Sequence, residues 1–69
     1  MKMLETKIRE LRLARGMDQS QLAALVGVRR ETIGRLEKGQ YNPSLKLAVD
    51  IAKVFALPVE EIFFFREES

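Results

Sequence analysis

Apolar residues recur every three or four positions along most of the chain, in short runs separated by residues that interrupt regular structure. The interrupting residues are Gly16, Gly27, Gly39, Pro43 and Pro58. Glycine commonly follows a helix and proline commonly opens one, so these positions divide the chain into segments of about one short helix each. Within a segment, this spacing puts the apolar side chains on one helical face. The pattern therefore predicts five short amphipathic helices.

The first three helices are predicted at about residues 6–15, 19–26 and 29–38. Thr6 is a suitable N-cap for the first helix. Asp18 is a suitable N-cap for the second, and Gln21, three residues later, completes a capping-box pattern. The apolar positions expected to face inward in the second and third helices are Leu22, Ala23, Val26, Val28, Ile33 and Leu36.

The fourth helix is predicted to open at Asn42, because asparagine is a good N-cap and Pro43 then takes the first helical position. Its apolar side chains follow the helical period and are Leu45, Ala48, Ile51, Ala52 and Phe55. The fifth helix is predicted to begin at Pro58, with two glutamates in its first turn that stabilise the helix dipole.

The chain ends resemble strands more than helices. Residues 63–66 are Phe63-Phe64-Phe65-Arg66, and aromatic side chains favour the pleated surface of a sheet. Such a strand could pair with residues 1–4, which precede the first helix. The predicted fold class is all-α, a bundle of five helices, to which a short two-stranded β-ribbon from the chain ends can be added.

Composition restricts the chemistry that the chain can perform. A chain of 69 residues is expected to form one domain, residues 1–69, and dimerisation would stabilise so small a core. It contains no cysteine and no histidine, which excludes disulfides, thiolate metal sites and a cysteine nucleophile, and removes the usual general base. We therefore expect a binding protein rather than an enzyme, with no metal and no cofactor.

The distribution of polar residues argues against membrane insertion and secretion. No uncharged apolar run approaches the length of about 18 residues that a membrane span needs. The start, MKMLETKIRE, lacks the apolar stretch and the small-residue cleavage site of a secretory signal. We expect a cytoplasmic protein with no membrane partner.

Charge is distributed unevenly along the chain. Residues 1–46 carry ten Lys and Arg against five Asp and Glu, a net charge of +5, whereas residues 47–69 carry two against five, a net charge of −3. A basic front and an acidic back are typical of a protein that presents one end to an anion such as nucleic acid.

The second and third helices are separated by Gly27-Val28 alone, which is typical of a helix-turn-helix over about residues 19–38. Because Ile33 and Leu36 face inward, the opposite face of the third helix must be exposed. That face comprises Arg30, Glu31, Gly34, Arg35 and Lys38. Three of these five side chains are cationic, as suits a helix that enters a DNA major groove.

The stretch DQSQLAALVGVRRETIGRLEKGQYNPSLKLAVDIAKVFALPVEEIF resembles the Cro/C1-type, or XRE-like, helix-turn-helix family, over about residues 7–63. The resemblance implies a lambda-repressor-like bundle of four or five helices. It also implies a transcriptional regulator that binds double-stranded DNA as a homodimer, reads an inverted repeat and represses. No small-molecule ligand is implied.

The resemblance assigns functions to individual positions. Arg30 and Arg35 match base-reading positions; Glu31 does as well, although it could equally form an ion pair with Arg35, four residues on. Candidate phosphate contacts are Gln19, Arg29, Thr32, Lys38 and Tyr41. In the family the glutamine at the position of Gln19 also braces the recognition helix.

Arg12 has a structural assignment, because it lies on the apolar face of the first helix. In the family the matching arginine pairs with the glutamate at the position of Glu37, so a structural ion pair is expected. Arg29 departs from the family, which usually has a capping Ser or Thr there. Ala56 also departs, because it replaces a usual glycine.

The aromatic tail suggests how a dimer would form. Phe63, Phe64 and Phe65 cannot all enter one small core, so they are assigned to a dimer interface in a tail spanning residues 63–69. Three other interpretations stay open: an antitoxin, a protein-interaction adaptor that uses the apolar Leu13 and Leu25, and an enzyme with a serine, threonine or lysine nucleophile.

Overall fold

The computed structural model of the chain describes residues 2–67 and contains five helices and two strands. In chain order they are β1 (Lys2–Thr6), α1 (Ile8–Ala14), α2 (Gln19–Val26), α3 (Arg30–Glu37), α4 (Leu45–Phe55), α5 (Val59–Ile62) and β2 (Phe63–Glu67). The two strands pair antiparallel into a ribbon. The expected five-helix bundle with a ribbon from the chain ends is confirmed. Residue 1 of the expected first strand, and residues 68–69 of the expected tail, lie outside the described residues.

Every helix contributes to one hydrophobic core. The fully buried side chains are Ile8, Leu22, Ile33, Leu36, Ile51 and Ile62. Leu4 and Phe63 add the inner face of the ribbon to this core. Burying an aliphatic side chain of this size stabilises a fold by about 2 kcal/mol, so the core orients the helices relative to one another.

Both ends of α2 are fixed by local chemistry. Asp18 Oδ1 accepts the Gln21 N–H at 2.8 Å, and Gln21 Oε1 accepts the Asp18 N–H at 2.8 Å, so the predicted capping box is confirmed. At the other end Gly27 has φ of +72°, a left-handed conformation that favours glycine. This turn redirects the chain into α3 within two residues, Val28 and Arg29.

The predicted start of α4 is wrong. Ser44, not Asn42, is the N-cap, and its hydroxyl accepts the Leu47 N–H at 3.1 Å. Asn42 and Pro43 precede the helix. With this start Leu47 faces the core, whereas Leu45, which the periodicity placed inward, is 79% exposed. Serine and asparagine cap equally well, and the sequence has both within three positions.

The predicted cap of α1 is also wrong, because Thr6 belongs to β1 and pairs with Phe63. The N-cap is Lys7, and α1 begins at Ile8. Thr6 Oγ1 still accepts the Ile8 N–H, at 3.4 Å.

The ribbon corrects one expectation about the aromatic tail. Phe63 is buried in the core of its own chain and is therefore not available to a partner subunit. Phe64 is half-buried, and Phe65 remains 59% exposed. Within residues 2–67, none of the helices has the length and apolar character needed to cross a membrane.

Candidate nucleic-acid interface

The helix α3 has one buried face and one exposed face. Ile33 and Leu36 are fully buried against the rest of the bundle. Arg30, Glu31 and Arg35 are exposed on the other side. Because the apolar side chains fix the rotation of the helix about its axis, the core determines which side chains α3 presents to solvent.

The polar side chains around α3 form a mostly cationic surface. Arg29, Glu31, Thr32 and Arg35 line a shallow groove of about 290 Å³, and Thr32 is half-buried there. Among residues 2–67, Glu31 and Arg35 form no ion pair with each other, so both are available to an external partner. Lys38, directly after α3, and Tyr41, in the following loop, are exposed.

Arg29 precedes α3 without capping it. Its backbone is extended, and its side chain makes no capping hydrogen bond with the helix. An uncapped start leaves helix N–H groups unsatisfied and costs roughly 0.5–2 kcal/mol compared with Ser or Thr. The position therefore contributes an exposed guanidinium in place of a cap.

Gln19 connects α2 to α3 through both ends of its side-chain amide. Its Nε2 donates to Glu37 Oε1 at 3.1 Å, and its Oε1 accepts from Arg30 Nη1 at 3.0 Å. A glutamine held at both ends has one defined orientation. A Cβ added at Gly34 would lie 3.8 Å from Gln19 Nε2, an ordinary van der Waals contact, so the bridge does not require glycine at this position.

Arg12 and Glu37 form a bidentate ion pair that joins α1 to α3. Arg12 Nε lies 2.7 Å from Glu37 Oε2 and Nη2 lies 3.1 Å from Oε1, with the side chains only 8% and 7% exposed. Arg12 Nη1 also donates to the Met17 carbonyl at 3.0 Å. The hydrogen bond to Glu37 raises the pKa of the Arg12 guanidinium, against the opposing effect of burial. Arg12 therefore stays charged at any physiological pH.

These contacts form one network that runs from α1 to the exposed face of α3. It passes from Arg12 to Glu37, from Glu37 to Gln19, and from Gln19 to Arg30. Among residues 2–67 no buried side-chain nitrogen or oxygen lacks a hydrogen-bond partner. A fully satisfied network of this kind holds its members in one arrangement.

Sequence reasoning missed the contribution of Arg15. Its Nη1 donates to the Val54 carbonyl at 2.7 Å and its Nη2 to the Phe55 carbonyl at 3.3 Å, while the guanidinium lies 5.4 Å from the Phe55 ring centroid. Arg15 thus satisfies carbonyls at the end of α4 and connects the end of α1 to α4. A long cation just after one helix gives no signal in the sequence about which distant carbonyls it reaches.

Comparison with known proteins agrees with this geometry. A family model described as helix-turn-helix matches residues 8–62, which include α2, the turn and α3. The chain belongs to the helix-turn-helix family of the Cro/C1 type. This is a family of DNA-binding transcriptional regulators, and α2, the turn and α3 lie within the matched residues.

Two relatives place the chain within this family. It is 57% identical over 66 residues to an uncharacterized HTH-type transcriptional regulator of Archaeoglobus fulgidus, covering 96% of this chain and 94% of that protein. It is 35% identical over 60 residues to the cryptic phage CTXphi transcriptional repressor RstR of Vibrio cholerae, covering 87% of this chain and 54% of RstR.

A solved structure has the same fold. The restriction-modification controller protein C.AhdI of Aeromonas hydrophila superimposes with a TM-score of 0.72 at 38% identity. The match covers 80% of this chain and 83% of that chain.

Proposed function

We propose that this chain is a sequence-specific transcriptional repressor that binds an inverted repeat as a homodimer, with α3 in the major groove. The observation that carries the proposal is the exposed face of α3. Arg30, Glu31 and Arg35 extend from a helix whose opposite face is fixed by the core. A rigid helix with exposed hydrogen-bonding side chains is what base reading requires.

The side chains of α3 match particular base edges. Arginine donates two hydrogen bonds to O6 and N7 of guanine, the commonest specific contact, and we assign this contact to Arg30 and Arg35. Glu31 can accept a hydrogen bond from N4 of cytosine. We therefore expect G·C pairs at the centre of each half-site.

Other side chains around α3 would contact the DNA backbone and carry no sequence information. The candidates are Gln19, Arg29, Thr32, Lys38 and Tyr41. Lys38 is the strongest of them, because it is exposed and lies at the C-terminal end of α3, beyond the base-reading positions. These contacts would orient α3 in the groove.

Dimerisation and repression rest on different support. The exposed Phe65 gives a small domain an apolar side chain to share with a second subunit. A twofold dimer would then read two half-sites about one helical turn apart. Repression is supported by the similarity to RstR, whose name describes a transcriptional repressor.

The placement of α3 is tested by recording backbone amide NMR shifts of the full chain while duplex DNA is added. We expect the largest changes in α3, at the start of α2 and around Lys38, and small changes in α5. The Arg30→Ala/Arg35→Ala variant is the control and should show much smaller changes in α3. Shifts concentrated on α4 and α5, with α3 unaffected, would show that another face binds DNA.

A further inference from the structure

The hydrogen-bond register of the ribbon shows which backbone groups of the strands are unused. β1 and β2 pair antiparallel with Leu4 opposite Phe65. In the same register, the Lys7 N–H donates to the Ile62 carbonyl at 2.9 Å. Hydrogen-bonded and non-hydrogen-bonded pairs alternate along an antiparallel ladder. Leu4 and Phe65 lie three positions along the ladder from the bonded pair Lys7–Ile62, so they form a non-hydrogen-bonded pair. Their N–H and C=O groups therefore point away from the partner strand.

The outer edge of β1 is covered by the turn that follows α3. Gly39 has φ of +70°, and a Cβ added there would overlap the Leu4 carbonyl oxygen. That carbonyl therefore points outward from the ribbon, as the register requires, and lies against the Gly39 backbone. A further strand cannot pair at this edge without displacing the turn.

Among residues 2–67, nothing pairs with the centre of the outer edge of β2. The first outward N–H, that of Phe63, donates to the carbonyl of Val59, the first residue of α5. By the alternation along the ladder, the N–H and C=O of Phe65 find no partner in β1, and the Phe65 side chain is 59% exposed. An unpaired edge with an exposed aromatic residue is a template for a strand from another chain.

We propose that this edge pairs antiparallel with β2 of a second copy, about a twofold axis at Phe65; the proposal rests on the homodimer proposed above. In the described part of the chain β2 spans Phe63–Glu67 with Phe65 at its centre, so this register pairs each of these five residues. The two copies exchange a pair of hydrogen bonds at Phe65. The Phe63 carbonyl accepts from the Glu67 N–H of the partner subunit.

The side chains favour this register over its neighbour. An axis at Arg66 would put two arginines directly opposite each other, and like charges in that position are destabilising. An axis at Phe65 instead puts two aromatic rings side by side. Phe65 lies on the sheet face of Leu4 and Phe63, which are both in the core, so the two rings join the cores of the subunits into one.

The shared sheet also links the two DNA-binding helices. In each subunit β1 lies against Gly39, two residues after the end of α3. The path from one α3 to the other therefore runs through four hydrogen-bonded strands and no flexible linker. The sheet would set the distance between the recognition helices, and hence the spacing of the half-sites.

The decisive variant is Phe65→Pro, studied in the full chain by sedimentation equilibrium and circular dichroism. Proline removes the N–H that the dimer uses, and it is tolerated on an edge strand where that N–H faces outward. Phe65→Thr is the matched control, because it removes the ring but keeps the N–H and a high strand propensity. We expect a wild-type dimer, a weaker Phe65→Thr dimer, and dimerisation of Phe65→Pro weakened about 100-fold with helix content retained.

Amide hydrogen exchange of the wild-type chain tests the same register without a substitution. The Phe65 amide should exchange slowly in the concentrated protein and rapidly on dilution. The Phe64 amide, which is bonded within the ribbon, should stay protected at both concentrations.

The outcomes separate this proposal from the proposed function. A Phe65→Pro variant that dimerises like the wild type, or a Phe65 amide whose exchange does not change on dilution of a dimer, overturns the edge pairing and leaves the homodimer standing. A wild-type chain that stays monomeric overturns both the edge pairing and the homodimer. The outer edge of β2 would then be available to a strand of a different protein.

Discussion

At the scale of single residues, Arg30 is positioned before any DNA is bound. Its Nη1 is held by Gln19 Oε1 at 3.0 Å, and Gln19 is itself held by Glu37. An arginine that is already held loses less side-chain entropy on binding than a free one. The other guanidinium N–H groups remain available to a guanine edge.

Arg30 and Lys38 should fail in different ways when each is replaced by alanine. The wild-type chain should discriminate between its preferred DNA and a duplex in which the contacted base pair is replaced. Arg30→Ala should reduce this discrimination by about 1–3 kcal/mol. Lys38→Ala should weaken binding to both DNAs alike, because a phosphate contact reads no sequence. Fluorescence anisotropy with the two duplexes measures this. The reverse pattern would exchange the two assignments.

Glu37→Gln should destabilise the fold by about 3 kcal/mol, because it leaves the buried Arg12 charge without a counter-ion. Asp50→Asn is the matched control. It breaks the pair between Asp50 and Lys46, whose lysine side chain is 85% exposed, and should cost roughly 0.5 kcal/mol or less. Urea unfolding measures the stability of both variants. Equal losses of unfolding free energy would show that the buried Arg12–Glu37 pair stabilises the fold no more than the exposed pair does.

Contacts between residues were predictable where a motif fixes both partners. The resemblance paired Arg12 with Glu37, and their side chains are in contact in the structure. The bond between Gln19 and Arg30 was not predictable, because it depends on the rotamers of two long side chains on different helices. Nor did the pattern show that Phe65 is more exposed than Phe64, since adjacent phenylalanines suit either face of a strand.

Among the helices and strands, some helix boundaries follow from the local sequence and others depend on tertiary packing. The bounds of α2 match the prediction, because a capping box and a left-handed glycine act on its two ends. The start of α4 was misplaced, since Asn42 and Ser44 are both good caps and core packing selects between them. The predicted start of α1 is wrong because Thr6 pairs with Phe63 in the ribbon, a long-range contact that the local pattern does not show.

The end of α4 offers a stabilising substitution. Ala56 has φ of +55°, the left-handed conformation that side chains with a Cβ disfavour. Ala56→Gly should therefore raise the free energy of unfolding by about 0.5–1 kcal/mol. Ala24→Gly, at an exposed position within α2, is the control and should lower it by about 1 kcal/mol. Thermal unfolding measures both, and a destabilised Ala56→Gly variant would show that the conformation carries no strain.

At the scale of the whole molecule, the basic and acidic parts of the chain have different positions in the fold. Residues 1–46, with a net charge of +5, include α2, α3 and the turn after α3. Residues 47–69, with a net charge of −3, include most of α4, as well as α5 and β2. The excess of positive charge therefore lies in the part of the chain that contains the helix-turn-helix, which favours the approach of an anion such as DNA.

Binding should consequently depend steeply on salt. The logarithm of the association constant should fall linearly with the logarithm of salt concentration, by roughly 0.9 for each phosphate neutralised. Lys38→Ala should reduce that slope by about 1, whereas Asp50→Asn should leave it unchanged. Anisotropy titrations over a range of salt concentrations give the slopes. A binding constant indifferent to salt would exclude phosphate contacts by this surface.

Selection from a random duplex pool tests whether α3 reads DNA sequence. The full chain is used over several rounds of binding and sequencing, beside Arg30→Ala/Arg35→Ala. We predict an enriched inverted repeat with G·C pairs in each half-site, which the double variant fails to enrich. An unenriched pool, with only weak binding that disappears as salt rises, would contradict sequence reading by α3.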